Sequence, residues 1–388
     1  MRIIYLDSAA TAPPTAAAIS AATAAMENFG NPSSLHQMGI DAEKQLTRAR
    51  QVFAKTINAK PAEICFTSGG TEANALAILG TAKLHKGARI ITTAAEHPSV
   101  SECMKTLAQA GFEIFHAALD SGGRVDENSL RAGLAQPTSL VSIHHVNNET
   151  GTTQDIAALG AIIKAVSVQT AFHVDAVQSL CKIPIDTAAM QVDLLSLSGH
   201  KLGGIKGAGA LYVRQGLHIK PMLTGGGQEG GLRGGTENVP GIAAMAAAFC
   251  ENLGKLQADF EHVASLRQAF LDGIASLGGI SINGRHAIPH ILNISISGVR
   301  PEVLVNALSA KGVCVSAGAA CSSNKRQKQD ESAVLRAYGL SAEAAASAVR
   351  VSFSAVNTLD EVKTAAEIFA ECVSQLRQHT KSLGGMRR

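Results

Sequence analysis

The chain has 388 residues, enough for one large hydrophobic core or two unequal ones. Hydrophobic residues make up 46% and charged residues 17%, which indicates a globular protein and excludes a disordered one. The formal net charge is only +3 and the densest basic stretch, residues 325–328, is short, so we expect no direct binding to nucleic acid. No apolar stretch of about 20 residues is present that would span a membrane, and the first residues do not form a signal-peptide pattern.

The cysteines argue for a reducing compartment. The seven cysteines are odd in number, scattered along the chain and free of C-x-x-C spacing. This pattern is typical neither of a disulfide framework nor of a zinc site, so we expect no structural metal. The sequence therefore predicts a cytoplasmic protein.

The first part of the chain alternates strand and helix patterns. Short apolar runs predict strands at residues 88–93, 140–146, 171–175 and 194–197, and apolar residues at helical spacing predict helices such as that at 155–167. Such alternation indicates an α/β fold with a mostly parallel sheet covered by helices on both faces. Ligands of such sheets bind at the carboxyl ends of the strands.

The pattern changes after Pro240. One long helix is predicted over about 240–275, followed by a half-buried strand at 291–296. A strand at 349–353 and a final helix at about 358–378 complete this part, which reads as α+β.

This change in pattern predicts two domains. No low-complexity linker and no internal repeat separates them. We predict a large domain over residues 15–255 and a small α+β domain over residues 256–388, completed by residues 1–14.

A glycine-rich turn at Ser68–Gly70 leads into an apolar helix. Two glycines let the backbone turn tightly, and the N-terminus of the helix offers N–H groups and partial positive charge to an anion. Thr71 adds a hydroxyl donor, so the segment is a candidate phosphate site. The alternative is an ordinary helix cap, and the segment is not a P-loop because no Gly-Lys-Ser/Thr sequence follows.

Asp175 ends a predicted strand, and Gln178 follows one turn later. A carboxylate at the carboxyl end of a strand faces the ligand crevice. Pyridoxal-phosphate (PLP) chemistry needs such an acid beside the pyridine nitrogen, where it keeps the ring protonated. The alternative is that Asp175 caps the next helix.

Lys201 lies just past the strand predicted at 194–197, before a glycine-rich stretch. Burial lowers the pKa of a lysine, which then forms a Schiff base readily. Ser198 and His200 are candidates to hold phosphate oxygens. The alternative is a pair of surface lysines in a turn, with Lys206 as the competitor of Lys201.

Cys321 is preceded by small residues and followed by polar ones, which predicts an exposed loop. The basic neighbours Lys325 and Arg326 favour a reactive thiol. The alternative is an inert cysteine, since most free cysteines are buried and unreactive.

Together these motifs resemble the class V aminotransferase-fold family, and within it the group I (NifS/IscS-like) cysteine desulfurases. The resemblance covers nearly the whole chain and implies the PLP-dependent transferase fold (aminotransferase fold type I). The segments that carry it are residues 6–11, 30–34, 67–74, 95–97, 146–151, 175–178, 198–201, 225–229 and 233–238, with Cys321 and Arg350.

The resemblance also implies roles for single residues. Lys201 would bind PLP covalently, Asp175 would pair with the pyridine nitrogen and Gln178 with the phenolic oxygen. His97 would stack on the ring and assist proton transfers, although its sequence alone favours a plain core or surface imidazole. The phosphate would be bound by Gly70, Thr71, Ser198 and His200, and by Thr236 from the second subunit of a homodimer.

Asn148, beside the cofactor, and Arg350 would hold the substrate carboxylate, since the planar fork of arginine bonds a carboxylate in two places. For Arg350 the alternative is a salt bridge within the strand. The implied reaction converts L-cysteine to L-alanine, with Cys321 taking the sulfur as a persulfide. Cys321 then passes it to an acceptor, such as a scaffold protein, for iron–sulfur cluster, thio-cofactor or tRNA synthesis.

Two alternatives to this reaction stay open. The first is another PLP-dependent aminotransferase, or a C–S or C–Se lyase, of the same fold; it would need no loop cysteine, so Cys321 argues against it. The second is a non-catalytic binding partner, which the combination of Lys201 and Asp175 argues against.

Overall fold

The computed structural model describes residues 2–84, 88–317 and 333–385. Its strands are β1 Ile4–Tyr5, β2 Ile64–Thr67, β3 Arg89–Thr93, β4 Ile114–Ala117, β5 Thr138–His144, β6 Ala171–Asp175, β7 Leu194–Ser198, β8 Gly209–Val213, β9 Ile280–Asn283, β10 Ile291–Ile296, β11 Val313–Cys314, β12 Ser316–Ala317 and β13 Ala348–Ser352.

The helices enclose these strands. They are α1 Ala16–Glu27, α2 Gln37–Thr56, α3 Gly70–Ala82, α4 Pro98–Gln109, α5 Glu127–Leu134, α6 Ile156–Val166, α7 Val239–Leu253, α8 Leu256–Ile274, α9 Pro301–Ala310, α10 Ala333–Ala337, α11 Ala342–Ala346 and α12 Leu359–Gly385. A 3₁₀ turn at Gly199–Lys201 directly follows β7.

A seven-stranded sheet forms the centre of the molecule, in the order β2-β8-β7-β6-β5-β3-β4. The pairs from β7 to β4 are parallel, whereas β8 runs antiparallel to both β7 and β2. Six strands therefore end at the same edge. The predicted α/β class with a mostly parallel sheet is confirmed.

Both faces of this sheet are buried, which explains its continuous apolar runs. In β5, Leu140 packs against α3 and α4, whereas its neighbour Val141 faces the opposite core. That opposite core also contains α2 and α7, where the rings of Phe53 and Phe249 stack with centroids 4.6 Å apart. The alternation of side chains along each strand thus supplies two hydrophobic layers.

A second sheet, in the order β12-β13-β10-β9, has its own core with α8, α9 and α12. The N-terminal segment belongs to this region: β1 pairs in parallel with β11, and the N–H of Ser352 donates to the carbonyl of Leu6 at 2.8 Å. The domain boundaries at residues 14 and 255 stay a prediction.

Two sequence predictions in this region are wrong. The helix predicted over 240–275 is two helices, α7 and α8, separated at Gly254 and Lys255. Glycine is a poor helix former, and α7 ends at Gly254. Just before this end, the side-chain amide of Asn252 donates to the carbonyl of Leu202. The strand at 291–296 is fully buried, not half-buried, because both of its faces are covered.

In the described residues, no helix combines the length and apolar character needed to cross a membrane. The six cysteines in this part of the chain form no disulfide with one another. The same residues contain no group of three or more His, Cys, Asp or Glu side chains placed to hold a metal ion.

Candidate active site

The carboxyl ends of β2, β3, β5, β6 and β7 surround one cavity of about 180 Å³. Ten of the predicted site residues line it: Gly70, Thr71, His97, Asn148, Asp175, Gln178, Ser198, His200, Lys201 and Arg350. The main chain brings them together because parallel strands end at the same edge of the sheet. We refer to this space as the central cavity.

Asp175 is held in the central cavity by two donors. Its Oδ2 accepts a hydrogen bond from Asn74 Nδ2 at 2.8 Å, and its Oδ1 accepts one from the N–H of Val177 at 3.0 Å. The carboxylate is only 7% exposed. These two hydrogen bonds fix the orientation of the carboxyl group at the edge of the cavity.

The network extends from Asp175 to His97. Asn74 Nδ2 also donates to Ser99 Oγ, which lies 2.8 Å from His97 Nδ1, and the N–H of Ser99 donates to the same ring nitrogen at 3.1 Å. Because Nδ1 accepts from a backbone N–H, the neutral ring carries its proton on Nε2. His97 also caps α4, which fixes the ring relative to the cavity.

Lys201 is held beside the N-terminal segment. Its Nζ donates to the carbonyl oxygens of Ala9 at 2.7 Å and Ala10 at 2.6 Å. The adjacent His200 Nδ1 lies 3.2 Å from Thr11 Oγ1. Burial lowers the pKa of His200 to about 4, and the charges of Lys201 and Lys206 add to this effect. His200 is therefore neutral at pH 7.

Arg350 reaches the central cavity from the smaller sheet. Its guanidinium is 2% exposed and donates to Asp7 Oδ1 at 2.9 Å and to the carbonyl of Asn148 at 2.8 Å. The salt bridge is with Asp7 of the N-terminal segment and not within the strand, and the arginine also lines the cavity. Among the described residues its Nε has no hydrogen-bond partner, so it can donate to a further group.

The N-terminus of α3 contributes backbone donors to the cavity. Gly69 precedes the helix and provides no side-chain cap to the first-turn N–H groups. A Cβ atom at Gly70 would lie 2.7 Å from Val177 Cγ2, and one at Gly209 would lie 2.6 Å from the Cα of Gly69. Glycine is therefore required at both positions for this close approach.

Two predicted site residues are not among those that line the central cavity. Thr236 is exposed and does not line the central cavity of its own chain. Cys321 lies outside the described residues. The flanking residues are described: Ser316 and Ala317 pair with Arg350 and Val349.

The sequence analysis did not identify the side chains that orient the predicted site residues. Asn74 and Ser99 connect Asp175 to His97, and Asp7 pairs with Arg350. Asn74 had a sequence signal, because it lies four residues after Gly70 and hence on the same face of α3. Ser99 and Asp7 had none, since their partners depend on the tertiary fold.

Another missed residue is Glu149, which is 4% exposed and follows Asn148. Burial raises the pKa of Glu149 to about 7, although Arg350 and His97 lower it in part. In the described part of the chain its Oε2 has no hydrogen-bond partner. A carboxyl group that is partly protonated near pH 7 therefore lies next to Asn148, which lines the cavity.

Residues 4–364 match the family described as "Aminotransferase class-V". The chain belongs to this family. The resemblance noted in the sequence is thereby confirmed, together with the aminotransferase-type fold. Members of the class-V aminotransferase family depend on PLP, which confirms the predicted cofactor at the level of the family.

Curated relatives in the class-V family cover almost the full chain. Cysteine desulfurase IscS of Vibrio cholerae serotype O1 (strain ATCC 39541 / Classical Ogawa 395 / O395) is 43% identical over 384 residues, which is 96% of this chain and 93% of the relative. Cysteine desulfurase IscS of Neisseria meningitidis serogroup C (strain 053442) is 40% identical over 383 residues, covering 97% and 93%.

Solved structures of the family superimpose over most of the chain. A NifS-like protein matches with a TM-score of 0.90 at 36% identity and covers 97% of this chain and 100% of its own. A NifS-like protein from Rickettsia africae ESF-5 matches with a TM-score of 0.87 at 30% identity, covering 96% and 100%. A structure described as SspA in complex with cysteine has a TM-score of 0.79 at 32% identity, covering 91% and 99%.

The residues of the central cavity fit the family cofactor. The N-terminus of α3, which has no side-chain cap, can bind an anionic group together with Thr71, Ser198 and His200. The oriented carboxyl group of Asp175 can pair with a ring nitrogen, and the amine of Lys201 can react with an aldehyde. The donor set therefore matches the phosphate, pyridine and carbonyl groups of PLP.

Buried histidines make the folded protein sensitive to acid. Burial lowers the pKa of His290 to about 3 and, together with other causes, that of His200 and His145 to about 4. These values lie below the ordinary value of 6.5, so the unfolded chain binds more protons between pH 6.5 and about 4. The free energy of unfolding is expected to fall as the pH is lowered through this window.

His290→Leu tests this effect, because its Nδ1 has no hydrogen-bond partner to lose. The variant should reduce the pH slope of the unfolding free energy by up to about 1.4 kcal/mol per pH unit. Urea unfolding of the cofactor-free protein between pH 7 and 4, followed by circular dichroism, measures it. The matched control is His116→Gln at an exposed position of β4, where the wild-type slope should remain. An unchanged slope in His290→Leu would contradict the prediction.

Proposed function

We propose that this protein is a PLP-dependent cysteine desulfurase that converts L-cysteine to L-alanine and collects the sulfur on Cys321. The observation that carries the proposal is that Lys201, Asp175 and the N-terminus of α3 meet in one cavity. The curated relatives named cysteine desulfurase, at 40–43% identity over nearly the whole chain, support the substrate.

The residues of the cavity divide the binding of PLP among them. Lys201 would hold it covalently, Asp175 would pair with the ring nitrogen, and Gln178 would donate to the phenolic oxygen. When bound, PLP supplies an electron sink for negative charge on the adjacent carbon atoms. The phosphate would be held by Gly70, Thr71, Ser198 and His200, and by Thr236 of a second subunit.

The chain supplies the proton transfers and the substrate contacts. Nζ of Lys201 would take the α-proton of cysteine, and Nε2–H of His97 would donate to the reacting group. The carboxylate of the substrate would bind Arg350, whose Nε has no partner among the described residues, and would lie near Asn148. The Asp7 carboxylate keeps the guanidinium oriented for this contact.

The sulfur is transferred to Cys321. Its thiolate attacks the substrate sulfur, so a sulfur–sulfur bond forms and the carbon–sulfur bond breaks. The electron pair of the broken bond stays on carbon, which takes up protons and leaves as alanine. Cys321 is four residues from Ala317, a span of at most about 14 Å, and Ala317 pairs beside Arg350.

The sulfur acceptor and the location belong to the same proposal. The persulfide passes to an acceptor protein that serves iron–sulfur cluster, thio-cofactor or tRNA synthesis. A reducing cytoplasm keeps the thiol of Cys321 available. The activity of an aminotransferase or of a C–Se lyase would not depend on this thiol. Replacing Cys321 therefore distinguishes a cysteine desulfurase from these two alternatives.

A homodimer is supported by exposed apolar side chains between α1 and α2. Phe29 is 79% exposed and Leu35 94% between the two helices, and Ile19 and Met26 of α1 and Ile40 of α2 are also exposed. Several large exposed apolar side chains within one short stretch of sequence are consistent with an interface. Thr236, which is exposed on its own chain, is then available to a neighbouring cavity.

Lys201→Ala is expected to abolish the visible band of bound cofactor and the formation of alanine from L-cysteine, because the amine that joins the aldehyde is lost. Absorption spectra with and without L-cysteine, coupled to an alanine assay, measure both effects. Lys206→Met is the matched control, since Lys206 is exposed and outside the cavity, and it should retain band and activity. A colourless wild-type protein that remains colourless after addition of PLP would refute the proposed function.

Cys321→Ser is expected to keep the cofactor band but to lose sulfide release almost completely, because serine forms no persulfide. Sulfide release under a reductant and mass spectrometry of the protein after L-cysteine report the two steps. Cys250→Ser, at an exposed cysteine, is the control and should retain a persulfide on Cys321. Desulfuration at the wild-type rate by Cys321→Ser would contradict the role of Cys321.

The shared site predicts complementation between inactive chains. Lys201→Ala and Thr236→Ala are each expected to lower activity at limiting PLP, and dimers mixed from the two should regain it. A mixed dimer has one cavity with both Lys201 and the partner's intact Thr236. If mixed dimers do not regain activity, Thr236 does not serve the cavity of the neighbouring subunit.

The molecular mass tests the dimer directly. Light scattering should give twice the 40.1 kDa of one chain, and Phe29→Asp with Leu35→Asp should reduce the mass to that of one chain.

A further inference from the structure

Lys182 lies on the segment that follows β6, four residues after Gln178. The N–H of Lys182 donates to the carbonyl of Ser179 at 3.0 Å, and the N–H of Leu180 donates to that of Ala176 at 3.1 Å. These helical turns put residues four apart on the same side. Lys182 is therefore placed to contact Gln178, which lines the central cavity.

The contact fixes the amide group of Gln178. Nζ of Lys182 donates to Gln178 Oε1 at 2.9 Å, and Gln178 Nε2 donates to the carbonyl of Ala9 at 2.9 Å. An ammonium group has no acceptor and a carbonyl group has no donor, so the amide has a single consistent orientation. The amide nitrogen carries two hydrogens, and the second remains for a group in the cavity.

The position of Lys182 is costly, which argues for a function. Burial lowers the pKa of Lys182 to about 7, and the positive charge of Lys201 adds to this effect. Arg350 also faces it, and His290, Lys201 and Lys182 line one small pocket behind the cavity. Lys182 is partly buried, and removing a charged group from water is unfavourable unless a specific contact, here with Gln178, compensates for it.

We propose that Lys182 is a positioning residue of the cofactor site: by holding Oε1 of Gln178, it directs the second amide hydrogen toward the oxygen of bound PLP. This inference rests on the proposed function, which supplies PLP as the occupant. Lys182 acts only through Gln178 and does not touch the cofactor. The lysine thus contributes to cofactor affinity and not to the stability of the empty protein.

Lys182→Met tests the proposal, since methionine fills a similar volume without a donor. The dissociation constant of PLP, measured by titrating the cofactor-free protein, should rise about tenfold because Gln178 keeps only one of the two hydrogen bonds that hold its amide in place. Lys182→Arg keeps a donor and should retain affinity within about twofold. The matched control Lys311→Met removes an exposed lysine that pairs with Glu371 and should bind PLP as the wild type does.

A double-mutant cycle separates positioning from a purely structural role. Adding Lys182→Met to Gln178→Ala should weaken PLP binding no further, and thermal unfolding of the cofactor-free Lys182→Met protein should not occur at a lower temperature. Additive effects, or unchanged affinity in Lys182→Met while the wild type binds PLP, would overturn this inference and leave the proposed function intact. Failure of the wild type to bind PLP would overturn both. If Lys182→Met does not fold, Lys182→Leu replaces it in the same cycle.

Discussion

The N-terminal segment from Asp7 to Ala12 holds the active site together. It pairs with the smaller sheet through Asp7 and Arg350, and its carbonyl groups at Ala9 and Ala10 receive the donors of Lys201. The N–H of Ala12 donates to the carbonyl of His200 at 2.9 Å. One short irregular segment therefore sets the position of the smaller sheet relative to the strand ends of the larger one. Substrate and cofactor contacts from different sheets depend on this connection.

Positively charged groups outnumber negatively charged ones in the site. Lys201, Lys182 and Arg350 lie close together, opposed by the carboxylates of Asp175 and Asp7. An excess of positive charge with little solvent favours anionic ligands, and both the cofactor phosphate and the substrate carboxylate are anionic. Burial lowers the pKa of Lys182 to about 7 and that of His200 to about 4, and the positive charge of Lys201 adds to both effects. The positive groups that attract anionic ligands therefore also favour a neutral His200.

Local pattern was sufficient to predict the residues at the ends of strands. Asp175 and Lys201 each follow an apolar run, and the parallel sheet brings such positions together. The contact between Asn74 and Asp175 spans 101 residues, and no periodicity encodes it. The separation of α7 from α8 was also missed, because the alanine-rich pattern continues across Gly254. Sequence therefore predicts which groups reach the cavity, whereas tertiary packing decides how each is oriented.

The two flanks of the segment that contains Cys321 support its assignment as the sulfur carrier. On one side, Ala317 pairs with Val349, next to the arginine that binds the substrate in the proposed reaction. On the other side, Val334 and Tyr338 pack against Ala95, two residues before His97. Both ends of the segment are thus fixed beside the central cavity. In the proposed reaction, a thiol carried between these two flanks would attack the sulfur of a cysteine held by Arg350, so the positions of the flanks are consistent with the proposed role of Cys321.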